Sequence, residues 1–193
     1  MTDDIGGTET GLSEVLDVLA ALSRLGCCFW LEGGWGVDAL VGHQTRAHRD
    51  LDVDLDARCD EPALAVLAEM GYTVETDWRP NRVELCAAGR GRVDLHPLLV
   101  DQDGSARQAA LDGGFHVFPQ SFFVTGSLAG TSVPCVSAAA QRRFRSGYEL
   151  RSIDLHDLAA LDEPQPRRRR AEPGPYLALD RSGQTYSGGN QLD

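Results

Sequence analysis

Leu12, Val15, Leu16, Leu19, Leu22 and Leu25 recur at helical spacing. The period predicts an amphipathic helix that starts near Ser13 and Glu14 and stops at Gly26. "CCFWLEGG" then reads as a short apolar strand running into Gly33 and Gly34. "WGVDALVG" predicts a short helix from Trp35 to Val41, ended by Gly42, and "HQTRAH" is a polar connector. Next, Asp50, Asp52, Asp54 and Asp56 alternate strictly with Leu51, Val53 and Leu55. Alternation is the signature of a strand, with one aliphatic face and one face of four carboxylates. Aspartate is depleted in strands and neighbouring like charges repel, so this stripe needs a reason.

Further along, "EPALAVLAEMGY" predicts a helix with Pro62 in its first turn and Gly71 as its stop. "YTVETDW", "RVELCAA" and "RVDLHPLLV" read as strands, the last two joined by a "GRG" hairpin turn. "DQDGS" reads as a loop, and "FHVFP", "SFFVTGSL" and "TSVPCVS" as short strands. Ser137 caps a helix running to about Ser146, and "DLHDLAAL" forms a last helical segment. Around it, Tyr148, Asp154, His156 and Asp157 could line a pocket, but the plainer reading is preferred: Asp154 as the cap, and Leu155, Leu158 and Leu161 as core. This order predicts an α+β (mixed α/β) fold, a central mixed sheet flanked by helices with a small C-terminal lobe. The expected divisions are a core over 1–110, an acceptor-side lobe over 111–162 and a disordered tail over 163–193, rich in Pro, Gly, Arg and Ser.

Composition narrows the function. The 193 residues carry a formal net charge of -11. An acidic chain is a poor general partner for nucleic acid and favours cationic molecules or metal ions. No apolar run approaches a membrane span, and "MTDDIGGTETG" lacks a signal peptide's basic and apolar regions, which predicts a cytoplasmic protein. The five cysteines, Cys27, Cys28, Cys59, Cys86 and Cys135, show no zinc spacing and are expected as free thiols. The run Arg167 to Arg170 reads as a solvated tail segment.

The acidic strand carries the candidate chemistry. Asp50 and Asp52 lie on one face. Mg²⁺ prefers oxygen ligands, takes one or two carboxylates and fills its shell with water and phosphate. Paired aspartates on a strand therefore suit a Mg²⁺–nucleotide platform. Asp94 and His96 share a face of "RVDLHPL", and a neighbouring strand would bring Asp94 beside the pair. Three carboxylates can hold two metals for in-line displacement at phosphorus. Gly33 and Gly34, before a helix, suit close approach of a phosphate to backbone N–H groups. Arg46 and His48 stand just ahead of the acidic strand. Taken singly, each piece has a plainer explanation: a solvated strand face, a packed histidine, a surface arginine.

The combination is more specific. "LEGGWGVDALVGHQTRAHRDLDVDLD" followed by "GRVDLHPL" resembles the DNA polymerase beta-like nucleotidyltransferases. More closely, it resembles the antibiotic nucleotidyltransferases, which include aminoglycoside 2''-adenylyltransferase and the lincosamide enzymes. The resemblance is strong from Leu31 to Leu98, weak through Leu161 and absent beyond. It implies a nucleotidyltransferase fold and transfer of a nucleoside monophosphate, AMP from ATP, to a hydroxyl of a small molecule. The implied acceptor is an aminoglycoside or lincosamide antibiotic. In this resemblance Asp50 and Asp52 bind two Mg²⁺ ions, with Asp94 as third carboxylate and general base. Gly33, Gly34, Arg46 and His48 hold the nucleotide, and His96 and Tyr148 stand on the acceptor side. A shifted pair, Asp52 and Asp54, fits the alternation equally well. Otherwise Asp54 and Asp56 are polar support or solvent-facing. Two further readings are a protein-modifying nucleotidyltransferase, such as an antitoxin, and a non-catalytic nucleotide-binding module.

Overall fold

The leucines at helical spacing build α1 (Leu12–Arg24), which buries Val15, Val18, Leu19, Ala21 and Leu22. The elements after it are β1 (Phe29–Leu31), α2 (Gly33–Val41), β2 (Asp50–Asp56), α3 (Asp60–Glu69), β3 (Thr73–Trp78), β4 (Arg82–Cys86) and β5 (Arg92–Val100). Then come β6 (Ala106–Ala109), β7 (Phe115–Phe118), β8 (Phe123–Leu128), β9 (Thr131–Val136), α4 (Ala138–Phe144) and α5 (Ser152–Asp162). The structure, a computed structural model, describes residues 9–111 and 113–163. The expected disordered tail and the Arg167 to Arg170 run therefore lie outside the described residues.

The strands form one mixed sheet in the order β3-β4-β5-β2-β1-β9-β8, with β6 paired to the far end of β5 and β7 to β6. The period-2 pattern of β2 sorts its side chains as alternation requires. Leu51, Val53 and Leu55 are fully buried with Val93 and Leu95 of β5 and with side chains of α1 and α3. On the opposite face α2 packs against β2, β8 and β9, and α4 and α5 pack against α2. The parallel pairing of β2 with β5 sets Asp50 opposite Arg92, Asp52 opposite Asp94 and Asp54 opposite His96. Segment 111–162 thus supplies strands to the same sheet and helices to the face that carries the aspartates.

Several expectations need correction. The second helix starts at Gly33, two residues before Trp35, because the glycine pair forms its first turn. The strand β6, Ala-Arg-Gln-Ala, has no apolar alternation to reveal it; it pairs with Leu98–Val100 of β5. On α5 the buried side chains are Asp154, Asp157 and Ala160, while Leu155 is 56% exposed. Asp154 is also not the cap. It lies one turn in and accepts the backbone N–H of Arg151, the capping residue.

The cysteines depart from expectation too. Cys27 and Cys59 form a disulfide, while Cys28 and Cys86 are free thiols. The antiparallel β1–β2 pair is extended by the Asp56 N–H donating to the Cys28 carbonyl. This brings the residues flanking one end of the pair together, with Cα atoms 6.3 Å apart. Nothing in the spacing of the cysteines signalled that proximity.

Candidate active site

Asp52 and Asp94 meet because they are register partners on adjacent strands, and His96 follows two residues along the same face. Donor atoms of Asp52, Asp94 and His96 all lie within 4.8 Å of one another. His96 Nε2 is 3.6 Å from Asp52 Oδ1 and has no hydrogen-bond partner, while Nδ1 stands 3.3 Å from the Gln108 amide nitrogen. Asp94 is nearly buried, with Arg82 Nη1 3.7 Å from its Oδ2. Burial, and then the charge of Asp52, push the Asp94 carboxyl up to about 7. Burial also opposes ionisation of Asp52, but the His96 ring outweighs it and holds that carboxyl below the usual range. For His96 the balance runs the same way: burial disfavours the cation, yet Asp52 and Glu32 raise its pKa.

This donor set fits a divalent cation. Two carboxylates face each other with little cationic compensation, and an imidazole nitrogen beside them lacks a partner. Oxygen-preferring ions such as Mg²⁺ would be held by Asp52 and Asp94, with Asp50 at the rim of the same cavity. Asp50 itself accepts hydrogen bonds from Arg49 at 3.3 and 3.0 Å and stands outside the close cluster.

The glycine pair sits against this cluster. A Cβ on Gly33, whose φ is +56°, would stand 1.9 Å from Asp52 Oδ2; on Gly34 it would meet His48 Nδ1 at 2.3 Å and Arg46 Nη2 at 2.6 Å. No side chain fits, so the first turn of α2 can lie directly beneath these groups. The first turn of a helix also presents N–H groups without intrahelical partners.

His48 is buried. It stacks on Trp35 with centroids 4.6 Å apart and bonds Asp38 Oδ2 at 2.5 Å. Asp38 in turn accepts the Thr45 N–H and hydroxyl, which fixes the connector before β2. Arg46 donates Nε and Nη2 to Asp157 at 2.8 and 3.1 Å.

One cavity of about 680 Å³ takes in Gly33, Gly34, Arg46, His48, Asp50, Asp52 and Asp94 among its walls. Seven sequence-derived candidates therefore converge. His96 lines a neighbouring cavity of about 560 Å³ with Glu32 and Gln108. Glu32, Gln108 and His116 also bound a third, of about 370 Å³, walled by Phe118 and Phe144. Tyr148 stands apart, 48% exposed between α4 and α5, and lines none of these three cavities.

Asp54 and Asp56 are not solvent-facing. Asp54 is fully buried, with no N–H or hydroxyl donor on either carboxylate oxygen, and only the Glu32 carboxyl stands close enough to share a proton with it. Burial, and then Glu32 beside it, raise its pKa well above the usual range. Asp56 accepts the Arg58 N–H at 3.1 Å and pairs with the Arg58 guanidinium at the end of the strand. Glu32, Arg82 and Arg145 were missed as site residues, while Asp154 and Asp157 were weighed as pocket residues and set aside for a helix end, yet both line the large cavity. The 154/157/160 spacing, one face of a helix, was the available signal for the two aspartates.

The sequence matches the aminoglycoside-2''-adenylyltransferase family over residues 14–161. A lincosamide resistance protein from Staphylococcus haemolyticus is 39% identical over 154 residues, covering 80% of this chain and 94% of that protein. The lincomycin-bound crystal structure of the lincosamide antibiotic adenylyltransferase LnuA is 36% identical with a TM-score of 0.76, covering 81% of this chain and 99% of that one. At 17% identity and a TM-score of 0.61, ANT(2'')-Ia in complex with adenylyl-2''-tobramycin shares the fold over 77% of this chain and 86% of its own. Cluster, glycine turn, sheet and sequence agree: the chain belongs to the aminoglycoside-2''-adenylyltransferase family and is a nucleotidyltransferase.

Proposed function

We propose that this protein transfers AMP from ATP to a hydroxyl of a small-molecule antibiotic, with a lincosamide as the first acceptor to test. The observation that carries the reading is the position of Asp52, Asp94 and His96. They lie where the cavity lined by Gly33, Gly34 and Arg46 adjoins the one lined by His96, Glu32 and Gln108. The first suits a triphosphate, with a glycine turn and a guanidinium. The second, with its aromatic-walled neighbour, suits an organic acceptor. The lincosamide relatives support that choice.

In this reading Gly33 and Gly34 admit the phosphates and Arg46 pairs with their charge, while His48 holds the connector in place. Asp52 and Asp94 would hold Mg²⁺, which would neutralise phosphate charge. A second ion would need Asp50 to leave Arg49 and join them. Asp94 accepts the proton of the acceptor hydroxyl as oxygen attacks the α-phosphorus, and pyrophosphate leaves. His96 orients Asp52 and faces the acceptor side.

The test is pyrophosphate release with Mg²⁺, each nucleoside triphosphate, and lincosamides and aminoglycosides in parallel. Wild-type protein should turn over with a lincosamide. Asp52→Asn and Asp94→Asn should each lose about 10³-fold or more in kcat. Wild-type turnover in both variants would sink the site assignment, and no release with any acceptor would sink the reaction.

A further inference from the structure

Arg145 is the least expected member of the large cavity's wall. It follows α4, and its side chain is only 8% exposed. Its Nη1 bonds the Gln141 carbonyl at 3.2 Å and the Gln141 side-chain oxygen. Its Nη2 donates to Asp157 Oδ2 at 2.6 Å. Its Nε has no hydrogen-bond partner and lies 3.9 Å from Asp154. Nε is sealed from solvent, but Nη2 makes one bond for its two N–H groups, so the guanidinium is a cavity-wall donor set with a donor to spare.

Asp157 is the hub. It is 1% exposed and accepts from Arg46 through Nε and Nη2 as well as from Arg145. Three guanidiniums, Arg46, Arg145 and Arg151, face two carboxylates, Asp157 and Asp154, so one positive charge is left over on this wall. Gln141, held by Arg145, also donates its amide to the Gly33 carbonyl at 3.2 Å. The chain of contacts therefore ends on the glycine turn beside Asp52. Arg46 reaches the same turn from the other side, its Nη2 beside Gly34.

We propose that Arg145 and Arg46 form a two-pronged receptor for the phosphates of the nucleotide, and that Asp157 is the positioning residue that holds both prongs. The inference rests on the nucleotidyl-transfer reading and adds two residues to it. Arg145 is the direct phosphate donor. Asp157 acts only through the arginines, so the anion site exists only when α5 is docked. Guanidiniums suit this task because their donors are fixed in a planar fork.

The experiment uses the full chain with Mg²⁺ and measures dissociation constants for ATP, ADP and AMP, the KM values for ATP and acceptor, and thermal melting. Arg145→Lys keeps the charge but removes the fork, and Asp157→Asn keeps the shape but releases both arginines. Each should weaken ATP binding about 10-fold or more while changing AMP binding less. The KM for ATP should rise and the KM for acceptor stay near wild type. Arg142→Ala, which removes a surface pair with Asp162, should bind as wild type does. If Asp157→Asn does not fold, Arg145→Lys decides alone. ATP binding by wild type, with both folded variants within about twofold of it, overturns the proposal and leaves nucleotidyl transfer standing. Wild-type protein that neither binds ATP nor transfers AMP would instead overturn the reading on which the proposal rests.

Discussion

The large cavity has two unlike walls. On the β2–β5 wall Asp52 faces Asp94, Asp54 lies buried with no N–H or hydroxyl donor, and His96 Nε2 has no hydrogen-bond partner. On the α5 wall Asp157 binds two arginines and Asp154 a third. Both walls are rich in ionisable groups, but only the helix wall ties its groups to one another by hydrogen bonds. The sheet wall is built to be completed by something outside the chain, at a cost in stability. The helix wall holds its donors still and keeps one positive charge to spare. Missing partners, rather than charge density, mark where the chemistry is expected.

Breaking the hydrogen-bonded helix wall should have the larger effect on stability. Asp157→Ala strands two buried guanidiniums and should lower unfolding free energy by about 3–5 kcal/mol, read by urea melts at neutral pH. A loss under 1 kcal/mol would mean that the α5 wall is not the anchor described. Relieving the sheet wall should work in the opposite direction. Asp54→Leu removes a buried carboxyl and should raise stability by about 1–2 kcal/mol in the same melts. Destabilisation there would show that Asp54 supports the fold.

The smallest effect is in acid. The Arg151 hydrogen bonds outweigh burial and hold the Asp154 carboxyl down to about 2. An unfolded aspartate titrates near 3.9, so this carboxyl binds fewer protons when folded. Its contribution is therefore complete above about pH 4 and lost as pH falls through about 2. Asp154→Asn should thus be less stable than wild type at pH 7, with the gap closing between about pH 4 and 2. A gap that is constant across that range would contradict the sign.

These contrasts also explain what was legible beforehand. The sheet wall was readable because strand alternation writes the face of each residue directly into sequence: Asp50, Asp52, Asp94 and His96 needed only a register to meet. The glycine pair and Arg46 were readable because they precede that strand closely. The helix wall was hidden. Leu155 looked like core, and the pocket reading of Asp157 lost to it, since nothing local says that Arg145 and Arg46 wait on the buried side. The strand β6 escaped because pairing with β5, not its own side chains, makes it a strand. The Cys27–Cys59 link escaped because residues distant in sequence become neighbours only once β1 and β2 have paired.

The parallel pairing of β2 with β5 has one more consequence. Asp52 and Asp94 are held apart by the spacing of adjacent strands, about 4.8 Å, rather than by any loop. That spacing works as a ruler with a single graduation. The excursion between the two strands through α3, β3 and β4 can lengthen or shorten at its turns without moving either carboxylate. A slip of one residue in the ladder would turn one of them to the opposite face. Insertions at Gly89, in the exposed turn between β4 and β5, should therefore be silent in the active site, whereas the same change inside β5 should erase it.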